Sequence, residues 1–343
     1  MIRLFDLSQS AEWDATVRSF GEHDIYYLSG YVKAFQIHGD GDPYLLYYED
    51  NGLRVIYVYM RRKTTLEGVY DSVTPYGYGG VLFDGDTSEA NRQTFWKAYV
   101  EKMKAEGIVD NFVRYHPVLA NAVNMKFTNT VIDLGKTIAF DLESPEVIWD
   151  NIISKNRNMI RKAEKNGITI EHGKGMDLLD QFTEIYNATM DKDHAEEYYY
   201  FKRPFYESID RDLQDNYEMF YAMYEGRPIA MSIMIFANGR LNYHLSGSDI
   251  AYRNLAPSNL LLYKAALWGY EQGCKTFHLG GGVGSGEDNL YKFKAAFNKN
   301  SDYQFSIGKE IFDQEKYDQL VAIRAQQDPE FNAESKFFPL YRS

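Results

Sequence analysis

The chain has 343 residues, 45% of them hydrophobic and 25% charged, which is the composition of a folded globular protein rather than a disordered one. This length exceeds what a single hydrophobic core usually supports, so we expect two domains. The net charge of −12 argues against broad, nonspecific nucleic-acid binding, which depends on Lys and Arg neutralising phosphates, and no DNA partner is expected.

The cysteine content and the start of the chain bear on the cellular compartment. Cys274 has no second cysteine with which to form an internal disulfide, which fits a reducing compartment. The first residues contain no apolar signal segment, and no run approaches the ~18 apolar residues that span a bilayer. The sequence therefore predicts a cytoplasmic protein without an integral membrane segment. Peripheral association with the inner membrane face stays open.

The first half of the chain reads as short helices, strands, a long helix and another strand. Helical patterns occupy residues 11–20 and 30–38, and a helix with one apolar face runs from Ser88 to Glu106, where Gly107 provides a stop. The β-rich runs in this half lie at residues 44–49, 54–60, 69–83 and 112–115.

The same order of elements returns in the second half. The predicted helices lie at residues 176–190, 201–213 and 258–272, and the predicted strands at 217–224, 229–236, 241–246 and 276–279. We interpret this as an architectural repeat of two α/β domains, 1–135 and 136–343, joined by a glycine-containing stretch near residues 133–140. The second domain is expected to carry the catalytic residues.

Several common reaction classes lack their sequence motifs. There is no His-Glu-x-x-His, no cysteine pair, no Gly-x-Ser-x-Gly and no Gly-x-x-x-x-Gly-Lys. The glycine cluster at residues 280–286 follows a strand but lacks the spacing of a dinucleotide fingerprint. No metal site is expected, and hydride transfer, metal hydrolysis and nucleotide-triphosphate chemistry are disfavoured.

A basic helical run extends from Ser144 to Lys165. Ser144 is a typical N-cap residue and Pro145 suits the first helical position. Arg157 and Arg161 are four residues apart and share a helix face, where two guanidinium groups can hold a phosphate or diphosphate. The alternative is a solvated basic face near a helix C-terminus.

Two further stretches can place backbone or hydroxyl groups near a ligand. The segment at residues 70–80 alternates glycine and tyrosine around Tyr76, which suggests either a close approach to a ligand or a β-bulge. A strand with Tyr243 and Ser246 leads to a helix that begins near Ser258 and Asn259. The free N–H groups at the start of this helix can bind an anion or a carbonyl oxygen. The alternative is ordinary helix capping without a ligand.

Lys294 follows the glycine cluster on a short predicted helix. A cation there can stabilise negative charge that develops during acyl transfer. A solvated lysine without a catalytic role is the alternative reading.

Taken together, these stretches resemble the FemABX-like aminoacyltransferases, within the wider GNAT-like acyltransferase superfamily. The resemblance covers nearly the whole chain in the correct order. The matching pieces are Pro75 to Gly80, the Arg157 and Arg161 helix, Thr189-Met190, Tyr198 to Phe201, Pro257 to Leu262, His278 to Gly281, and Phe293-Lys294.

The resemblance implies an α/β (α+β) fold of two tandem GNAT-like domains, each a mixed central sheet flanked by helices. It also implies that an amine attacks an aminoacyl ester on tRNA and thereby extends a peptidoglycan precursor, with Lys294 and Phe293 as the catalytic pair. The acceptor would be a nucleotide- or lipid-linked sugar-peptide. The residues expected to bind substrate are Arg157, Arg161, Tyr76, Tyr198, Tyr243, Ser246, Ser258 and Asn259.

The sequence departs from this pattern at two places. The stretch at residues 168–217 has room for two ordinary helices only, so the coiled-coil arm of longer relatives is missing. Residues 252–258 contain no glycine where acetyl-CoA enzymes carry a pyrophosphate loop. No tightly bound cofactor is expected, and the donor is aminoacyl-tRNA or acyl-CoA. The alternatives are an acetyl-CoA-dependent N-acetyltransferase acting on an amino sugar and a non-catalytic carbohydrate- or peptide-binding module.

Overall fold

The computed structural model describes residues 2–343, which form two compact units. Unit 1 extends to Leu134 and resumes from Phe305 to Ser343, whereas unit 2 is the continuous stretch Gly135–Gln304. The expected second domain, 136–343, therefore needs correction at its C-terminal end. The last segment belongs to unit 1 because its strand and helix complete the sheet and core of that unit.

Unit 1 contains a mixed sheet with helices packed against it. Its elements are β1 (Ile2–Phe5), α1 (Ser10–Arg18), α2 (Ser29–His38), β2 (Asp42–Asp50), β3 (Leu53–Lys63), β4 (Tyr70–Val73), β5 (Leu82–Gly85), α3 (Glu89–Ala105) and β6 (Ile108–Arg114). The chain then passes into β7 (Val131–Asp141), which continues into unit 2.

Unit 2 begins within β7 and contains the remaining central elements. These are α4 (Pro145–Asn151), α5 (Ser154–Lys165), β8 (Thr169–Gly173), α6 (Met176–Lys192), α7 (Arg203–Asp212), β9 (Tyr217–Tyr224), β10 (Arg227–Ala237), β11 (Arg240–Ser248), α8 (Pro257–Glu271), β12 (Thr276–Gly280) and α9 (Asn289–Ala295). The chain returns to unit 1 within β13 (Tyr303–Ile311) and ends with α10 (Gln314–Gln327) and a short turn.

The sheets of the two units share a pattern of strand pairing. In unit 1 the order is β1-β2-β3-β4-β6-β13, with β5 also paired to β3, and in unit 2 it is β7-β12-β11-β10-β9-β8. Each sheet is antiparallel except for one pair, β4 with β6 and β11 with β12, whose strands are joined by α3 and α8 respectively. A helical crossover is the ordinary way to connect parallel neighbours.

The predicted fold class is thus confirmed, since each unit has a mixed sheet flanked by helices. Each unit also repeats a run of strands, a helix and a further strand, with β2 to β5 before α3 in unit 1 and β9 to β11 before α8 in unit 2. Two expectations were wrong in detail. The predicted strand at 69–83 is two strands, β4 and β5, separated by an irregular segment in which Gly77 and Gly80 have positive φ. The presumed connecting stretch near 133–140 is itself part of strand β7.

The core of unit 2 lies on the side of the sheet covered by α5 and α8. It joins buried aliphatic side chains of these helices to Phe140 and Phe277, whose rings stack with centroids 5.6 Å apart. Burial of this apolar surface is the main stabilising contribution to the unit. Among residues 2–343 no helix has the length and apolar content that crossing a bilayer requires.

Candidate active site

Lys294 lies on the short helix α9 and is buried. The helix is capped by Asp288, whose carboxylate accepts a hydrogen bond from Tyr291 N at 2.8 Å. The Lys294 ammonium donates to the carbonyl oxygen of Gly281 at 2.7 Å. Burial lowers the pKa of Lys294 to about 8, although the negative charge of Asp288 raises it in part. At neutral pH the group is therefore still mostly a cation, held in a poorly solvated place.

The glycine cluster fixes the carbonyl that holds Lys294. A methyl group on Gly282 would lie 2.2 Å from the carbonyl oxygen of Gly286, and one on Gly135 would lie 2.0 Å from that of Ser285. Side chains at these positions would displace the backbone. The glycines therefore serve close packing of the loop on itself and on the beginning of β7 in unit 2.

Phe293, the other member of the expected catalytic pair, is half-buried beside Lys294. Its ring packs edge-to-face on Phe297 at a centroid distance of 5.3 Å and joins the margin of the unit 2 core. The pair thus combines a cation with an adjacent aromatic side chain that keeps part of its surface open.

The basic run from Ser144 to Lys165 is two helices rather than one. Ser144 caps α4 as expected, with its hydroxyl accepting from Val147 N at 3.2 Å. The backbone is extended at Ile152 and Ile153, and Ile153 N donates to the carbonyl oxygen of Ala296 at 3.1 Å. The break therefore attaches the start of α5 to the end of α9, two residues beyond Lys294.

Asn156 connects three elements of this site, although the sequence analysis did not identify it. It is buried, its amide donates to Ala296 O at 3.3 Å, and its side-chain oxygen accepts from Asn259 at 2.6 Å. A sequence signal existed, because Asn156 occupies the buried stripe of α5 together with Ile160 and Ala163. A polar residue on such a stripe needs a partner.

Arg157 and Arg161 lie on the outside of α5 and share one aromatic neighbour. Their guanidinium carbons lie 5.9 and 5.1 Å from the ring centroid of Trp149. Arg157 also approaches the Asp150 carboxylate, with 3.7 Å between Nη1 and Oδ1. The expected shared face is confirmed by this geometry, whereas a role of the two arginines in binding phosphate stays a prediction.

Tyr243 and Ser246 lie on β11 beyond the point where its pairing with β12 ends, at Asn242 opposite His278. Burial raises the pKa of Tyr243, and hydrogen bonds with Ser246 and Ser232 partly oppose this effect. The parallel strands β11 and β12 pair over only three residues each. Tyr243 and Ser246 therefore lie on the part of β11 that is no longer paired with β12.

Ser258 and Asn259 occupy the first turn of α8. This turn follows Ala256, which has a positive φ of 60°, and no side chain caps the helix. Asn259 is the one of the two that the structure joins to α5, through Asn156. The absence of glycine before this helix is therefore accommodated by an alanine in the left-handed region.

The two remaining predicted residues, Tyr198 and Tyr76, belong to different units. Tyr198 is 38% exposed on a short turn of unit 2 and contacts the ring of Tyr199 edge-to-face at 5.4 Å. Tyr76 belongs to unit 1, where its ring stacks on Phe35 at 5.2 Å and its carbonyl accepts from the Tyr31 hydroxyl at 2.8 Å. Both tyrosines keep their predicted substrate-binding roles as predictions.

Two histidines of unit 2, the buried His278 and the half-buried His244, were not among the predicted site residues. His244 falls at a β-bulge between β10 and β11, and burial lowers its pKa to about 3, so it is neutral. His278 Nε2 lies 2.9 Å from Thr137 Oγ1. Histidine spacing gave no signal for either. Across the described residues 2–343, no three His, Cys, Asp or Glu side chains form a cluster that could hold a metal ion.

Residues 153–294 match the family model for the acetyltransferase (GNAT) domain. This match lies entirely within unit 2, Gly135–Gln304. The matched segment starts where α5 attaches to α9 and ends at Lys294, so it contains most of the residues described above. Among curated proteins, no sequence matches the chain significantly.

The whole chain is similar in fold to several solved structures. The structural alignment with FemX covers 92% of this chain and 99% of FemX, with a TM-score of 0.69 and 16% sequence identity. The alignment with a conserved protein of unknown function from Bacteroides thetaiotaomicron VPI-5482 covers 91% of this chain and 100% of that protein, with a TM-score of 0.61 and 11% sequence identity. The third is the C-terminal domain of a putative lysylphosphatidylglycerol synthetase from Agrobacterium fabrum. The alignment with it covers 88% of this chain and 92% of that domain, with a TM-score of 0.57 and 14% sequence identity.

The resemblance to the FemABX-like family is confirmed at the level of the fold. The GNAT domain match and the FemX fold agree with the implied architecture of GNAT-like units.

Proposed function

We propose that the chain is an acyltransferase that moves an aminoacyl or acyl group onto an amine of a cell-wall (peptidoglycan) or surface-polysaccharide precursor. The observation that carries this proposal is Lys294, a buried ammonium held by the Gly281 carbonyl at the end of the GNAT domain match. The fold likeness to FemX supports an aminoacyl donor. We place the reaction in the cytoplasm.

In the proposed reaction, the acceptor amine attacks the carbonyl carbon of the donor. The new C–N bond forms, the carbonyl oxygen becomes an oxyanion, and the nitrogen gains a positive charge. The Lys294 ammonium stabilises the oxyanion. The tetrahedral intermediate then collapses, the bond to the donor oxygen or sulfur breaks, and the proton lost by nitrogen ends on that leaving group. One preorganised donor of this kind contributes about 2.7–4 kcal/mol to lowering the barrier.

The other predicted residues have positioning roles in this proposal. Arg157 and Arg161 would hold the diphosphate of a nucleotide- or lipid-linked sugar-peptide, because paired guanidinium groups match phosphate oxygens. Phe293 would pack against the donor. The side chains that would contact the acceptor or donor are Tyr76, Tyr198, Tyr243, Ser246, Ser258 and Asn259.

The donor is proposed to be an aminoacyl ester, with aminoacyl-tRNA as its carrier. Besides FemX, a similar structure is described as a putative lysylphosphatidylglycerol synthetase, whose product is named for a lysyl group. Both likenesses favour an aminoacyl group over an acetyl group.

A second candidate is an acetyl-CoA-dependent N-acetyltransferase acting on an amino sugar. The match of residues 153–294 to a domain described as an acetyltransferase favours it. Calorimetry with acetyl-CoA separates the two, since micromolar binding would support the second candidate. A binding module without catalysis would bind sugar-peptides but form no product.

The decisive experiment compares Lys294→Met with Lys292→Met, which removes an exposed lysine from the same helix. Amide formation is measured by mass spectrometry with aminoacyl-tRNA or acetyl-CoA as donor and an amine-bearing peptidoglycan precursor as acceptor. We expect Lys294→Met to lower kcat by about 10²–10³-fold and Lys292→Met to retain activity. Full activity of Lys294→Met would refute the mechanism, and absence of product with every donor would refute the function.

A further inference from the structure

The outer side of α5 is a concentrated patch of positive charge in an acidic protein. With 3.6 residues per turn, its cations fall within an arc of about 160° that faces away from the buried stripe of the helix. We call this set the cationic face; it consists of Lys155, Arg157, Arg161, Lys162 and Lys165.

These charges are poorly compensated by the rest of the protein. Arg157 has the distant contact with Asp150, and the one carboxylate on α5, Glu164, is engaged by Lys264 at 3.3 Å. In the part of the chain that the structure describes, residues 2–343, the other four cations have no carboxylate within ion-pair distance. Internal ion pairing therefore does not account for the clustering.

The opposite side of α5 limits how the helix can bind another surface. Asn156, Ile160 and Ala163 are buried in the core of unit 2. The apolar stripe is thus unavailable for insertion into a bilayer, and binding through α5 has to be electrostatic. Ile153, which immediately precedes the helix, is 37% exposed.

We propose that the cationic face docks unit 2 on the surface of an anionic phospholipid bilayer. Clusters of four to eight Lys or Arg on a helix are attracted to acidic lipid headgroups. A single-stranded RNA is the competing polyanion, but proteins bind such strands with open aromatic faces on which bases stack. Here the aromatic ring at the face, Trp149, is already approached by both Arg157 and Arg161.

Docking through this face brings the site close to lipid-linked substrates. The first residues of α5 are attached to Ala296, next to the helix that carries Lys294. Acceptors anchored in the same bilayer would then be confined to a thin layer beside the site. The binding step itself is independent of the proposed reaction and needs no turnover for its measurement.

The test uses the full chain and sedimentation with phosphatidylcholine vesicles, with or without phosphatidylglycerol. Wild type is expected to bind only the phosphatidylglycerol vesicles and to dissociate as salt rises. The triple variant K155Q/K162Q/K165Q should bind about 100-fold more weakly, since each charge contributes about fivefold. The matched control K192Q/K202Q/K275Q removes three exposed lysines elsewhere in unit 2 and should bind like wild type.

The variant leaves Arg157 and Arg161 intact, so failure of docking is distinguishable from failure of the proposed function. Transfer to a water-soluble acceptor should continue in K155Q/K162Q/K165Q, and its thermal unfolding should match that of wild type. Unchanged vesicle binding by this variant, or equal binding to neutral vesicles, would overturn the proposal. So would tRNA binding that the triple variant loses without any binding to phosphatidylglycerol vesicles.

Discussion

The side-chain amide of Asn259 donates to the side-chain oxygen of Asn156 across 2.6 Å and thereby joins the first turns of α8 and α5. The same Asn156 side chain reaches Ala296 beyond the end of α9. Three helices are thus connected through one buried amide. Its two hydrogen bonds fix their relative positions around Lys294 in a way that apolar packing, which is less directional, does not.

Asn156→Ala should therefore destabilise the protein. The substitution removes two hydrogen bonds and leaves the Asn259 amide without that acceptor, which costs about 1–3 kcal/mol. Urea unfolding monitored by circular dichroism measures the loss. Asn158→Ala, which removes an exposed amide from the same helix, is the control and should change the free energy of unfolding by less than about 0.5 kcal/mol. Equal stability of the two variants would contradict the role given to Asn156.

The pH dependence of turnover should report the protonation of Lys294. Because burial lowers its pKa to about 8, the ammonium is present below that pH and is lost as the pH rises through it. We expect kcat to fall above about pH 8 in wild type. Lys294→Arg keeps a charge that does not titrate in this range, so its residual activity should lack the fall. The same alkaline fall in both proteins would assign it to another group.

Gly135→Ala should disturb the loop that holds Lys294. The added methyl group would lie 2.0 Å from the carbonyl oxygen of Ser285, and relieving this overlap requires a backbone shift. We expect a cost of about 1–3 kcal/mol in thermal unfolding, with a parallel loss of activity. Gly173→Ala is the matched control, since its methyl group would make an ordinary 3.4 Å contact with Leu178. Wild-type stability of Gly135→Ala would show that the loop yields easily.

Unit 1 should lose stability as the pH rises, through Glu310 on β13. Its carboxylate accepts from Tyr99 and Asn111, at 3.0 and 2.8 Å, but burial dominates and raises its pKa to about 7. The folded state therefore binds a proton that the unfolded state releases at lower pH. The resulting stabilisation is complete below about pH 4.5 and is lost as the pH rises through about 7.

Glu310→Gln keeps an acceptor for both hydrogen bonds and carries no charge. Its unfolding free energy should fall less than that of wild type between about pH 5 and pH 8, by on the order of 2–3 kcal/mol. Asp110, whose pKa burial also raises to about 7, leaves part of the dependence in place. Identical pH profiles of the variant and wild type in denaturant titrations would exclude Glu310 as the source.

Local signals made part of the fold predictable. The strands β9, β10 and β11 were found because tight turns separate them, and residues 225–226 and 238–239 have the positive φ values that such turns require. Strand β13 was missed because its pairing partner, β6, lies far away in the sequence. Pairing over such a separation leaves no mark in the hydrophobic pattern of either segment.

The candidate site shows the same limit. Lys294 and the arginines of α5 could be selected by charge and by the family resemblance. Asn156 had a local signal as a polar residue on the buried stripe of α5, but its partners could not be predicted, because Ala296 and Asn259 come from segments more than a hundred residues away. The break between α4 and α5 was also hidden, since Ile152 and Ile153 are compatible with a continuous helix and only the contact with Ala296 explains the extended backbone.

The return of residues 305–343 to unit 1 has a consequence for synthesis on the ribosome. Unit 2 is contiguous and can fold as soon as Gln304 has left the exit tunnel. Unit 1 has to wait for β13, which pairs with β6, so the half of the protein made first is completed last. Until then the unpaired side of β6 is open to other strands, and truncation before Phe305 should leave an aggregation-prone product.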